Sequence, residues 1–310
     1  MTIYEFLLTQ RKKMCDMKKI IFKGCGTAIA TPFDENGVNY AEFEKLLEFQ
    51  VKNGADAIIV CGTTGEASTM TDSERKETIR FAIDTVDGRI PVIAGTGSNC
   101  TASAIELSKF AANVGADGIL VVTPYYNKAT QNGLVEHYKA IASAVPNTPI
   151  IMYSVPSRTG VNILPKTCLE LSKIQNIVAI KEASGNLSQV AEIAALCGDN
   201  LNIYSGNDDQ VLPVLSLGGL GVISVFSNIA PKKFSDMIKN FWDGKIKEAI
   251  STQLESLELI NALFCEVNPI PVKAALNLMG YDFGTPRLPL TPISPNNLET
   301  LKIAMKPYLI

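Results

Sequence analysis

The sequence predicts an α/β protein: a (β/α)8 TIM barrel followed by a C-terminal helical appendage. Three observations carry that prediction. Short apolar runs alternate with amphipathic helical stretches, recurring every ~20 to 35 residues, the length of one βα unit. The segment Asn53-Gly-Ala-Asp-Ala-Ile-Ile-Val reappears as Val114-Gly-Ala-Asp-Gly-Ile-Leu-Val, so one helix–glycine–strand joint is used twice. After the eighth apolar run the alternation stops and helical stretches follow one another directly. Eight units in strict alternation favour a closed barrel over an open doubly wound sheet, although the two share the same local grammar.

In chain order, the strand-like runs fall at residues 26–30, 57–61, 91–94, 118–122, 149–153, 177–181, 201–205 and 221–225. Helical periodicity fills the early gaps at 40–53, 71–86, 101–114 and 131–144, the third opening on a capping-type Asn99 or Thr101. Beyond residue 225, helices are expected at 232–242, 245–266, 271–279 and 296–306, with Pro269 and Pro271 marking the break between two of them. The first closes the barrel as its eighth helix and the rest form the appendage. No low-complexity linker separates the two, so the appendage should pack on the barrel. The expected division is a flexible N-terminal extension at 1–19, a barrel at 20–242 and a C-terminal helical region at 243–310.

Composition removes several function classes. At 310 residues and 46% hydrophobic content the chain can bury one large core, and a net charge of −3 lacks the basic face that nucleic acid or an anionic membrane would need. No apolar run reaches the roughly 18 residues of a membrane span. Near the start, Arg11-Lys-Lys13 follows a short apolar patch, the reverse of a secretory signal's order, so a cytoplasmic protein is expected. The seven cysteines are scattered without a Cys-x-x-Cys pair, which suits reduced thiols better than a disulfide framework or zinc site. His137 is the only histidine, in a polar helical stretch, and offers no paired ligand for a metal. Acid–base work therefore falls to Tyr, Lys, Glu or Asp, and no metal or other cofactor is expected.

In such a barrel the chemistry sits where strands end and loops begin. Those ends carry Gly62-Thr-Thr-Gly-Glu66, Thr123-Pro-Tyr-Tyr-Asn127, Tyr153 with Pro156-Ser-Arg-Thr-Gly160, Lys181, Ser205-Gly-Asn-Asp208 and Ser224 to Asn228. Lys181 closes the apolar run Ile177-Val-Ala-Ile180. A buried ammonium is costly, and a lysine that gives up its proton there can attack a carbonyl to form a Schiff base. The local pattern fits equally a lysine that reaches solvent or pairs with Glu182. The turn at Gly62 fits a helix cap as well as a cradle of N–H groups and two hydroxyls for a small carboxylate. It lacks the Gly-Lys-Ser/Thr ending of a phosphate loop. Tyr125 and Tyr126 read as surface aromatics or proton carriers, and Arg158 as a solvated charge or a bidentate carboxylate clamp.

Together these motifs resemble the dihydrodipicolinate synthase/N-acetylneuraminate lyase family, Schiff-base-forming (β/α)8 enzymes acting on pyruvate or its adducts. The resemblance runs from about Phe22 to near the C-terminus, including Asn268-Pro-Ile-Pro-Val-Lys273 and Arg287-Leu-Pro-Leu290. Gly-Thr-Thr-Gly-Glu, Tyr-Tyr-Asn, Pro-Ser-Arg-Thr-Gly and Ile-Lys-Glu-Ala-Ser-Gly are most similar to one branch. That branch condenses pyruvate with L-aspartate 4-semialdehyde to 4-hydroxy-tetrahydrodipicolinate, on the diaminopimelate route to lysine. Sialic-acid lyases typically carry Gly-Ser-Thr-Gly-Glu and lack an arginine at the position of Arg158.

The resemblance implies that Lys181 forms the imine and that Tyr153 relays protons, linked through Thr64 to Tyr126 from a neighbouring subunit of a homotetramer. It implies that Thr63 and Thr64 hold the pyruvate carboxylate and Arg158 that of aspartate semialdehyde, and that Gly206 and Ile223 line the pocket. It implies neither a metal nor a redox cofactor. Two departures stand out: Ser154 occupies a position where many relatives have Asn, and about sixteen residues precede Met17, where relatives usually begin. Two other functions stay open at this stage. One is a sialic-acid or keto-deoxy-sugar lyase, which Arg158 disfavours. The other is a non-catalytic small-molecule sensor, which has no use for a retained nucleophile.

Overall fold

A computed structural model describes residues 18–309. Eight parallel strands form a closed barrel: β1 (Gly24–Ala28), β2 (Ala57–Val60), β3 (Val92–Gly95), β4 (Gly118–Val122), β5 (Ile150–Ser154), β6 (Ile177–Glu182), β7 (Asn202–Ser205) and β8 (Gly221–Ser224). Closure comes from β1, which pairs with β2 through Gly26 and Ala57 and with β8 through Gly24 and Gly221. The helices that follow the strands are α1 (Tyr40–Lys52), α2 (Asp72–Val86), α3 (Thr101–Asn113), α4 (Gln131–Ala144), α5 (Pro165–Leu171), α6 (Leu187–Cys197), α7 (Val211–Ser216) and α8 (Pro231–Trp242). A short antiparallel hairpin pairs Phe33–Asp34 with Gly37–Val38 ahead of α1, turning at Glu35 and Asn36.

The strands sort their side chains into two layers, as a barrel requires. Ala57, Ile59, Ile93, Leu120, Ile151 and Tyr204 fill the interior, while Ile58, Val60, Val92, Ile119, Ile150 and Val222 pack outward under the helices. The register along β5 and β6 shifts once, with Ile150 opposite Ile177 but Ile151 opposite Ala179, so Val178 is an extra residue. Val178 and Ala179 both join the interior cluster, and Ile180 turns outward. A single extra residue inverts the phase of everything after it. In strict alternation from the outward Ile177, Lys181 would face the helices; the bulge turns it into the barrel.

β1 starts two residues earlier than its apolar pattern suggests. Asp56 accepts from Cys25 N at 2.7 Å and Leu220 O from Gly24 N at 3.0 Å, drawing the ladder toward the N-terminus, while Ala30 N is diverted to the Asn228 side chain. Cys100, not Asn99 or Thr101, occupies the N-cap of α3, without a side-chain cap. The stretch expected as one helix at 245–266 divides into α9 (Ile246–Glu255) and α10 (Leu257–Leu263). At the break, Thr252 and Ser256 turn their hydroxyls back onto the carbonyls of Glu248 and Thr252, a bonding that bends helices.

The remaining appendage helices are α11 (Ile270–Leu278) and α12 (Pro295–Met305), with α11 seated on the Phe226–Asn228 turn after β8. Residues 1–17 of the N-terminal extension lie outside the described residues; Lys18 is buried and donates to the carbonyls of Ile174 and Gln175. Among the described residues no helix is long and apolar enough to cross a membrane.

Candidate active site

At the C-terminal rim of the barrel a cavity of about 220 Å3 is lined by Thr63, Thr64, Tyr153, Arg158, Lys181, Gly206 and Asn268, among others. Lys181 lies at its floor, 6% exposed. β5 and β6 set Tyr153 and Lys181 side by side in register, and Lys181 Nζ stands 4.4 Å from the centroid of the Tyr153 ring. The alternative pairing with Glu182 does not form. Glu182 points out of the barrel, accepting from Gln189 Nε2 at 2.9 Å and from Ser184 N, and burial pushes its carboxyl above the ordinary range. Among the described residues no carboxylate lies within salt-bridge distance of Lys181, which leaves its amine free to meet a carbonyl. Nearby, Asp208 accepts from Val225 N and Phe226 N; burial raises its carboxyl, and the charge of Lys181 opposes that rise.

Gly62 to Glu66 form a tight turn after β2, entered through a left-handed Cys61 at φ 54° and left through Glu66 at φ 54°. The turn fits there because Gly95 on β3 has no side chain: a Cβ would stand 2.2 Å from Cys61 O. Thr63 is open to the cavity, whereas Thr64 is buried and accepts from Asn268 Nδ2 at 3.0 Å. Glu66 is held at both oxygens, by Lys273 Nζ at 2.8 Å and by Arg287 N at 2.9 Å. Arg287 stacks over Phe33 and forms a double contact with Glu74, whose carboxyl it holds down at about 2. On the opposite wall Gly206 admits no side chain, since a Cβ would come within 2.5 Å of the Ala183 Cβ.

Arg158 sits at the mouth, where the 220 Å3 cavity meets a wider one of about 470 Å3, and it donates to Asn268 O at 3.2 Å. Thr63, Thr64, Tyr153, Arg158, Lys181 and Gly206 are thus brought together. Two expected residues are not. Ile223 is buried in the packed interior layer and does not line the cavity. Tyr126 is 90% exposed, at φ 73°, and lines neither cavity; only its neighbour Tyr125 reaches the wider one.

His137 departs from its expected polar setting. Its face of α4 is buried against α3, where Thr101 Oγ1 bonds Nδ1 at 2.9 Å, and burial lowers its pKa to about 4. Asn268 is the residue that sequence reasoning passed over; the available signal was a lone amide opening the Asn268-Pro-Ile-Pro segment. Among the described residues no group of three or more His, Cys, Asp or Glu is placed to hold a metal.

Comparison with known proteins adds a third line of evidence. The model of the dihydrodipicolinate synthetase family matches residues 21–307. The chain is 58% identical over 288 residues to 4-hydroxy-tetrahydrodipicolinate synthase of Clostridium novyi (strain NT), covering 93% of this chain and 97% of that one. It is 59% identical over 283 residues to the enzyme of the same name from Clostridium tetani (strain Massachusetts / E88), covering 91% and 96%. Dihydrodipicolinate synthase from Aquifex aeolicus has a similar structure, with a TM-score of 0.90 and 45% identity over 93% of this chain and 98% of that one. The chloride-inhibited dihydrodipicolinate synthase from Acinetobacter baumannii, solved with pyruvate bound, gives a TM-score of 0.91 and 43% identity, covering 94% and 100%.

Proposed function

Because this chain belongs to the dihydrodipicolinate synthetase family, we propose that it condenses pyruvate with L-aspartate 4-semialdehyde to 4-hydroxy-tetrahydrodipicolinate through a Schiff base on Lys181. The observation that carries the reading is the inward-facing Lys181 beside Tyr153, below the two threonines and with Arg158 at the mouth. The Lys181 amine adds to the pyruvate ketone and water leaves, giving an imine. The imine makes the pyruvate methyl acidic, and loss of a proton gives an enamine. Its carbon bonds to the aldehyde carbon of the second substrate, whose oxygen takes up a proton to become the hydroxyl. The substrate's own amine then displaces the lysine from the imine carbon and closes the ring. No electron is gained or lost.

Thr63 and Thr64 hold the pyruvate carboxylate, Tyr153 moves the protons, and Arg158 holds the carboxylate of aspartate semialdehyde through charge-assisted bonds. Gly206 keeps the wall open. Tyr126, linked through Thr64 to Tyr153, completes the relay from the adjoining subunit of a homotetramer, a reading supported by its exposure and its absence from the lining of its own chain's cavity.

Borohydride with pyruvate should add one pyruvyl-derived mass to the wild type, at Lys181, and none to Lys181→Ala. A coupled assay should show turnover with aspartate semialdehyde and no cleavage of sialic acid. Trapping at another lysine, or undiminished turnover in Lys181→Ala, would overturn the mechanism.

A further inference from the structure

Asn268 stands outside the barrel's own strand ends, in the segment between α10 and α11, yet it touches two residues of the site. Its Nδ2 donates to Thr64 Oγ1 at 3.0 Å, and its backbone oxygen accepts from Arg158 Nη2 at 3.2 Å. The residue is 4% exposed, lines the smaller cavity, and leaves its Oδ1 buried without a protein partner. A purely structural filler has no reason for that arrangement. An unpaired buried acceptor is destabilising, and an apolar side chain of similar size would avoid it. Polar groups kept at such a cost mark sites where function and stability diverge.

The direction of the bond gives the amide a purpose. A hydroxyl has one hydrogen and two acceptor positions. With Nδ2 donating into Thr64 Oγ1, the hydroxyl hydrogen of Thr64 is left for a different acceptor, and among the described residues its side chain forms no other hydrogen bond. Glu66, two residues further along the same turn, is gripped by Lys273 and Arg287 N, so the appendage fixes the turn as well as the hydroxyl's rotation. We propose that Asn268 is a positioning residue that sets the hydrogen-bond polarity of Thr64, aiming its proton away from the appendage and toward the reacting groups. This inference rests on the Schiff-base reading above.

The test is a cycle of Asn268→Leu, Thr64→Val and the double variant. The readouts are the melting midpoint, kcat and KM in the coupled assay, and the rate of borohydride-trappable imine formation with pyruvate alone. Asn268→Leu should melt at or above the wild-type midpoint, lower kcat and the imine rate at least tenfold, and change the pyruvate KM less than threefold. The double variant should fall within twofold of Thr64→Val alone, because with the hydroxyl gone there is no polarity left to set. Losses that multiply, or a kcat of Asn268→Leu within twofold of wild type, would overturn the proposal. Should Asn268→Leu fail to fold, isosteric Asn268→Asp replaces it in the same cycle. An ionised carboxylate accepts from Thr64 instead of donating, so kcat should again drop tenfold, and wild-type turnover would refute the assignment. A wild type that traps no pyruvate fails the Schiff-base reading itself; a wild type that traps and turns over while the variants match it fails only the role of Asn268.

Discussion

Lys273 Nζ and Glu66 Oε1 meet at 2.8 Å with both side chains buried, joining α11 of the appendage to the last residue of the site's turn. The Lys273 ammonium also stands 4.4 Å from the Phe33 ring centroid; burial lowers its pKa, and the charge of Glu66 opposes that shift. Removing one member of such a pair strands the other charge in an apolar setting, whereas removing both charges does not. Lys273→Met should therefore cost ~3–5 kcal/mol in urea titration. Adding Glu66→Gln should recover most of it, since the amide oxygen can still accept from Arg287 N. Equal stability of the single and double variants would show that the stranded Glu66 charge carries no penalty.

Arg158→Ala should mainly weaken handling of aspartate semialdehyde while pyruvate trapping survives. Loss of a charge-assisted hydrogen bond costs ~1.5–3 kcal/mol, a ten- to hundredfold drop in kcat/KM for the second substrate. Steady-state kinetics with each substrate varied in turn would show it. Equal losses for both substrates would make Arg158 a structural element, through its bond to Asn268 O.

Tyr126→Phe should lower kcat by at least ~100-fold, the usual scale for a lost general acid or base, with little change in the pyruvate KM. Mixed oligomers of Tyr126→Phe and Lys181→Ala subunits should regain activity, because some sites then combine an intact copy of each residue. Purified hetero-oligomers that stay inactive would place the relay within one chain.

Stability should fall as the solution is acidified from about pH 6.5 to about pH 4. Free imidazole titrates near 6.5 and folded His137 near 4. Between those values the unfolded chain binds the extra proton, so stability rises with pH across the window. At ~1.4 kcal/mol per pH unit the contribution is no more than ~3.5 kcal/mol. Glu74 adds a further decline below about pH 4.5, because Arg287 holds its folded carboxyl at about 2. In melting curves across this range His137→Gln should flatten the upper slope and leave the lower one. An unchanged upper slope would mean that another group carries it.

The order of strands and helices, and the six residues that gather at the cavity, were legible because each is a local pattern: period, turn residue or strand end. Less legible was anything that depends on a neighbour's register or on distant chain. Nothing in Ile177-Val-Ala-Ile-Lys181 announces that Val178 is an extra residue; only its pairing with β5 does. The buried setting of His137 depends on Thr101 from another helix, and the bend at Ser256 on hydroxyls that choose backbone over solvent. Asn268 shows the same limit, because its worth lies in a threonine far away in sequence. Tyr126 was legible as chemistry, but its own chain gives it no cavity to act in.

The turn at Gly62 also dictates an order of events in synthesis. Thr64 and Glu66 find their partners 204 and 207 positions later in the chain. A ribosome makes all eight strands, including the nucleophile, before it makes Asn268 and Lys273. Contacts of such long sequence separation form late and slowly. A nascent chain that has reached Trp242 therefore has every strand needed to close the ring but no anchors for the loop above Lys181, and competence arrives only with the final stretch of translation.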